Sequence, residues 1–150
     1  MIFREASIED LSLLRELEQK LIEAERPFDS HVKPGNPTYY DIEKLILDED
    51  CCLVVAEDTN TIIATGYAQL TRTKPSLIHN IHSYLGFMYV APDYRGKGIN
   101  KTIIEQLISW TRSKGVNAIY LDVYSGNNSA IKAYEKMSFE PSLLEMKLIL

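Results

Sequence analysis

Val90-Ala91-Pro92-Asp93-Tyr94-Arg95-Gly96-Lys97-Gly98-Ile99-Asn100-Lys101 is the stretch around which the chain is organised. Phe87-Met88-Tyr89-Val90 before it has strand character, and Ile103, Ile104, Leu107, Ile108 and Trp110 after it recur at helical spacing. Strand, glycine-rich turn and helix together make a phosphate cradle. Glycines let the backbone approach a ligand, and the unpaired N–H groups of a first helical turn attract anions. Arg95, Lys97 and Lys101 add positive charge.

Outward from this loop the elements follow in order. Residues 2–6 read as a short strand. Ser7 reads as a helix cap with Asp10 as its box partner, opening an amphipathic helix to about Glu25 on Leu11, Leu14, Leu17, Leu21 and Ile22. Pro27 and the run from His31 to Pro37 form a loop, and Thr38 caps a second helix through Leu47. Cys51–Glu57 and Thr61–Thr71 pair as a hairpin, and His82–Val90 continues the meander. After the loop, a helix runs to Lys114 and is closed by Gly115. Ala118–Tyr124 is then a strand parallel to 82–90, because a strand–helix crossover joins them. A helix over 128–137 and a last strand over Leu143–Ile149 complete the chain. The expectation is one domain over residues 1–150, an α/β fold with a mixed sheet antiparallel early and parallel in the middle.

The net charge of −5 argues against a nucleic-acid partner, since no basic stripe offsets it. The N-terminus lacks a signal-peptide core and no apolar run is long enough to span a membrane, so a cytoplasmic location without membrane attachment is expected. Cys51 and Cys52 are adjacent, and no His/Cys cluster has metal-ligand spacing, so no metal is expected and the cysteines read as small buried residues.

A Walker-type loop fails here because Asn100 precedes Lys101-Thr102, and the dinucleotide fingerprint fails because Lys101 stands at its third glycine. What fits is Arg-x-x-Gly-x-Gly/Ala, with Arg95 and Gly98 in place and Asn100 at the position of the small residue. A second motif follows: Asn127-x-x-Ala130-x-x-x-Tyr134-x-x-x-x-Phe139-Glu140-Pro141. With both motifs at this separation, the chain resembles the GNAT superfamily of Gcn5-related N-acetyltransferases, in detail from about Tyr84 to Pro141 and in element order throughout. Asn100, and Ser138 where the family has Gly, depart from its pattern; Asn tolerates unusual backbone angles.

The resemblance implies a GNAT fold, a central mixed sheet of about six to seven strands flanked by about four helices, and acetyl-CoA as cosubstrate. It implies that the amides of Arg95, Gly96, Lys97, Gly98, Ile99, Asn100 and Lys101 hold the pyrophosphate. Met88, Tyr89 and Val90 would lie along the pantetheine, where the strand splays from its parallel neighbour. Asn127 and Ala130 would border the cofactor. Tyr134, nearly two turns after Asn127 and on the same side of its helix, would protonate the departing thiolate; outside this motif it would read as a core tyrosine. Asp122 is the candidate base, if burial raises its pKa, with His79, His82 or a water chain as alternatives. The acceptor, a small-molecule or peptide amine, would meet residues 26–40 and 71–83, where Tyr39, Tyr40, Asp41, Glu23 and Glu25 offer aromatic and acidic groups. No Cys or Ser is flagged as a covalent relay, so transfer would be direct, in a ternary complex. The alternative reading is a CoA-binding sensor or scaffold without turnover. A homodimer is possible, with no interface legible in the sequence.

Overall fold

The computed structural model describes residues 1–150. Its sheet has five strands in the order β1-β2-β3-β4-β5: Ile2–Glu5, Cys51–Asp58, Thr61–Arg72, Ile81–Val90 and Ile119–Leu121. The first four are antiparallel neighbours and β5 lies parallel to β4. The four helices are α1 (Leu11–Glu25), α2 (Ile42–Leu47), α3 (Ile99–Ser113) and α4 (Asn128–Glu135).

Both faces of the sheet are covered, which is why β2 and β3 are nearly continuous apolar runs rather than alternating ones. Leu53, Val55, Tyr67, Phe87 and Tyr89 face α1 and α2 through Leu14, Leu17, Leu21, Ile42 and Leu45. Cys52, Val54, Ala56, Ala68 and Leu85 face α3 through Ile99, Ile103, Ile104 and Leu107. The two cysteine thiols are free, and burial pushes both up to about 12.

Two carboxylates fix the layer of α1. Asp10 accepts from the Ser7 amide at 2.7 Å and from both ends of the Arg4 guanidinium at 2.8 and 2.9 Å, while Arg4 also reaches Glu57 at 3.0 Å. These bonds tie β1, β2 and the start of α1 together, and the Arg4 partner holds the Asp10 carboxyl below its usual range. Glu18, 2% exposed, accepts from the backbone N–H groups of Tyr39 and Tyr40 at 2.9 and 2.8 Å. A buried carboxylate persists here because the loop donates to it twice.

Four expectations are corrected. The sheet has five strands, not six to seven. The segment Leu143–Ile149 forms no strand: residues 140–150 are exposed and make no backbone–backbone hydrogen bond. β5 stops at Leu121, so Asp122, Val123 and Tyr124 lie beyond the pairing. The second helix starts at Ile42, because Asp41 rather than Thr38 caps it, accepting from the Lys44 amide at 3.2 Å.

Candidate active site

The site begins with a fault in β4. Thr65 pairs with Tyr89 and Tyr67 with Gly86, so the single residue Gly66 faces Phe87 and Met88 together. This is a β-bulge. Phe87, 1% exposed, takes the left-handed φ of +54° and gives its amide to the Tyr40 hydroxyl at 3.1 Å. Gly86 is demanded by the Tyr67 ring, since a Cβ there would sit 2.4 Å from the phenol.

β4 then parts from β5. Their pairing covers only Ser83 to Leu85 against Ile119 to Leu121, so Gly86–Val90 has no neighbour on that side. The expected splay is present, with Met88 and Val90 half-buried along it. The Val90 carbonyl is taken by the Arg95 Nε at 2.8 Å, which folds the loop back onto the strand.

The loop makes one 3₁₀ turn over Pro92–Tyr94, anchored by the Tyr94 hydroxyl donating to Asp58 at 2.8 Å. Gly96 and Gly98 follow with φ of +74° and +80°, and Gly98 is the N-cap of α3. The result is a run of six consecutive amides, residues 96–101, none bonded to the chain's own backbone. With the helix dipole behind them and open space over both glycines, they suit a phosphate. Arg95 lies over the Tyr89 ring at 5.9 Å and Lys97 over Tyr94 at 5.5 Å, which holds their charge beside the cradle. Asn100 lies within α3 and needs no special backbone angle. A groove of about 660 Å³ runs beside the loop, floored by Tyr89 and Ala91 and rimmed by Lys20, Glu23 and Arg95.

α4 supplies the other wall. The Asn127 side chain caps it, accepting from the Ala130 amide at 3.2 Å. At its far end Ser138, φ +72°, turns the chain so that the Phe139 amide reaches the Tyr134 carbonyl at 3.1 Å, a Schellman closure. The Phe139 ring then packs on the Tyr134 ring, centroids 5.9 Å apart. The spacing of Tyr134 and Phe139 in the sequence is therefore that of a helix terminus that orients the tyrosine. Burial, then the Glu25 charge, pushes the Tyr134 phenol up to about 12.

The remaining candidates separate. Asp122 is exposed, so the burial expected of it is lacking, and it accepts from the Tyr84 hydroxyl at 3.0 Å. His79 and His82 are not brought to Tyr134. They meet Tyr120 at the Ile81 end of β4, His79 tilted with its Nε2 3.0 Å from the Tyr120 hydroxyl and His82 edge-on with its Nδ1 2.8 Å from the Thr73 hydroxyl. Glu25, a minor candidate by sequence, gains weight. It sits half-buried at the end of α1, its carboxyl raised by burial, and its charge acts on Tyr39, Tyr124 and Tyr134. The Tyr39 hydroxyl beside it is buried without a hydrogen-bond partner. Phe28 and Asp29 lie in the stretch 26–40 expected to meet the acceptor, where no motif singles them out. Phe28 stacks on Tyr124 at 6.2 Å and Asp29 accepts from its hydroxyl at 3.5 Å, closing the turn after α1 over the start of α4. Only the Pro27 turn signal marks them in the sequence.

A family profile described as "Acetyltransferase (GNAT) family" matches residues 14–139. The chain belongs to the GNAT acetyltransferase family. The match spans every element from α1 through the Schellman turn. Among curated GNAT relatives, the probable N-acetyltransferase camello of Xenopus tropicalis is 31% identical over 107 residues, 71% of this chain; the chain spans only 47% of camello's length. Among solved structures, a tetramutant of BH1408 from Bacillus halodurans superposes with a TM-score of 0.88 at 27% identity over 100% of both chains. A predicted acetyltransferase from Clostridium acetobutylicum, solved with acetyl-CoA, has a TM-score of 0.76 at 22% identity over 99% of this chain and 95% of its own. This last likeness is one of fold.

Proposed function

We propose that residues 1–150 form one N-acetyltransferase domain that moves an acetyl group from acetyl-CoA to a primary amine, directly, in a ternary complex. The observation that carries this is the run of six unpaired amides, 96–101, at the end of a strand edge that β5 has left free. An added strand can bond to such an edge, and a pantetheine with its two amides is strand-like. Met88, Tyr89 and Val90 lie along it, and Arg95 to Lys101 cradle the pyrophosphate. Asn127 and Ala130 shape the start of α4. The acetyl-CoA in the Clostridium acetobutylicum neighbour supports the donor.

Asp122, exposed and held by Tyr84, draws the ammonium to the mouth, and Glu25, with its carboxyl raised by burial, takes one proton from it. The neutral nitrogen then attacks the thioester carbon, the C–S bond breaks, and the sulfur leaves as a thiolate. Tyr134, a phenol raised by burial and still protonated, gives the thiolate a proton, and the second nitrogen proton returns to the Tyr134 oxygen as the amide forms. With Asp29 these carboxylates favour a cationic acceptor. The test is acetyl-CoA consumption with a panel of amines, read by a mass gain on the acceptor. Transfer to polyamine-like or basic amines supports the reading. Tight CoA binding without transfer to any amine overturns it in favour of a sensor.

A further inference from the structure

The chain sets a primary amine of its own beside the candidate acceptor carboxylates. The Lys147 ammonium donates to Asp29 Oδ1 at 3.3 Å and lies 3.3 Å from His31 Nδ1. Asp29 also accepts from the Tyr124 hydroxyl at 3.5 Å, and Phe28 stacks on the Tyr124 ring. Tyr124 in turn lies within the field of the Glu25 charge, as Tyr134 does. Lys101, the one other lysine paired with a carboxylate, holds Glu105 on its own helix at 3.8 Å.

The path of the tail makes this contact more than a surface pair. The tail leaves from Phe139, whose ring packs on the Tyr134 ring with centroids 5.9 Å apart, and it comes back to Asp29 at the turn after α1. Residues 140–150 make no backbone–backbone hydrogen bond, and Met146 and Leu148, on either side of Lys147, are 83% and 81% exposed. Such a segment opens locally at little cost. The pair with Asp29 is itself partly exposed, so it positions the amine without locking it in place. Fully extended, the stretch from Phe139 to Lys147 reaches about 29 Å, and it starts at Tyr134. A lysine on so short a tether meets the site at an effective concentration on the order of millimolar.

We infer that Lys147 is an acceptor built into the chain: Asp29 holds its ammonium at the mouth, and the domain acetylates the Lys147 Nζ in cis. This rests on the acetyl transfer proposed above. The ammonium gives one proton to Glu25, the neutral Nζ bonds to the thioester carbon, and the C–S bond breaks. The thiolate takes the Tyr134 proton, and the second nitrogen proton goes to the Tyr134 oxygen. The products are Nε-acetylated Lys147 and the free thiol of CoA. An amide nitrogen carries no charge, so the reaction breaks the ion pair and leaves Asp29 to an external ammonium.

The test incubates the 150-residue chain with acetyl-CoA and no added amine, and follows the acetyl mass at each lysine by peptide mapping. The expected result is acetylation of Lys147 about tenfold or more faster than at any other lysine, with a first-order rate constant unchanged across a dilution series. Asp29→Asn should slow it by roughly tenfold and Tyr134→Phe by about 10²-fold. A parallel sample receives the amine panel. External amines acetylated while Lys147 stays unmodified overturn this inference and leave the proposed activity standing, whereas no transfer to any amine or to Lys147 overturns both. Modification of Lys147 no faster than of other lysines, a rate constant that rises with protein concentration, or a rate that either substitution leaves unchanged also overturns the inference. The wild-type series decides the matter even if a variant folds poorly.

Discussion

Tyr134 does two things that a helix tyrosine in a core need not do: it is oriented by a ring from its own helix terminus, and it keeps its proton to about pH 12. Tyr134→Phe keeps the packing on Phe139 and removes the proton. General acids contribute about 10²–10⁴-fold, so kcat should fall at least about 10²-fold with KM for acetyl-CoA little changed, as steady-state kinetics will show. An unchanged kcat would remove Tyr134 from the chemistry. Ser138 presents the opposite case, a residue whose backbone opposes its side chain. Its φ of +72° lies where glycine is at ease and a Cβ is not. Ser138→Gly should raise unfolding stability by about 1 kcal/mol in urea denaturation.

At the scale of elements, the loop from Pro92 to Lys101 depends on Gly98 more than on its cations. The φ of +80° at the N-cap aims the following amides outward together. Gly98→Val should raise KM for acetyl-CoA about tenfold or more and cost about 1–2 kcal/mol of stability, with kinetics and thermal melts read on the same preparation. β1 and α1 are joined by a pH-dependent staple. Asp10 titrates lower in the folded chain than in the unfolded one, because Arg4 hydrogen-bonds it. The unfolded chain therefore binds its proton first as pH drops. The stability Asp10 contributes is whole above its unfolded pKa of about 3.9 and is lost as pH falls through the lower folded value. Asp10→Asn should lower stability at pH 7 by about 1–3 kcal/mol and flatten the acid limb below about pH 4, measured by denaturant titration across pH.

The whole molecule is uneven in its protection. β2 and β3 bury residues on both faces and α3 buries one full stripe, whereas nothing after Val116 is fully buried. Under conditions where the chain is monomeric, amides of α4 should exchange through local opening while those of β2 and β3 wait for global unfolding. Uniform protection in hydrogen exchange would contradict this. The same contrast explains what could be read ahead of the structure. The meander and the glycine loop were legible because hairpin turns, apolar runs and the two glycines are local signals. The splay of β4 came with the family resemblance, but its cause, two residues of β4 facing Gly66, lies in register, which no local pattern carries. The strand expected over Leu143–Ile149 is absent, since period two says which face is apolar and not what the backbone pairs with. Asp122 stood out by its motif neighbours, and Glu25 emerged only when the end of α1 was seen beside Tyr134 and Tyr124.

Glu18 grips the amides of Tyr39 and Tyr40, and the Tyr40 hydroxyl holds the amide of Phe87 at the bulge. The linkage runs from the middle of the first helix to the strand on the donor side without a solvent gap. Tyr39 and Tyr40 are thus hard-wired to β4, and the freedom to vary in length and charge is left to the stretch before them, residues 30–36, whose carbonyls are held by Arg26 rather than by the strand.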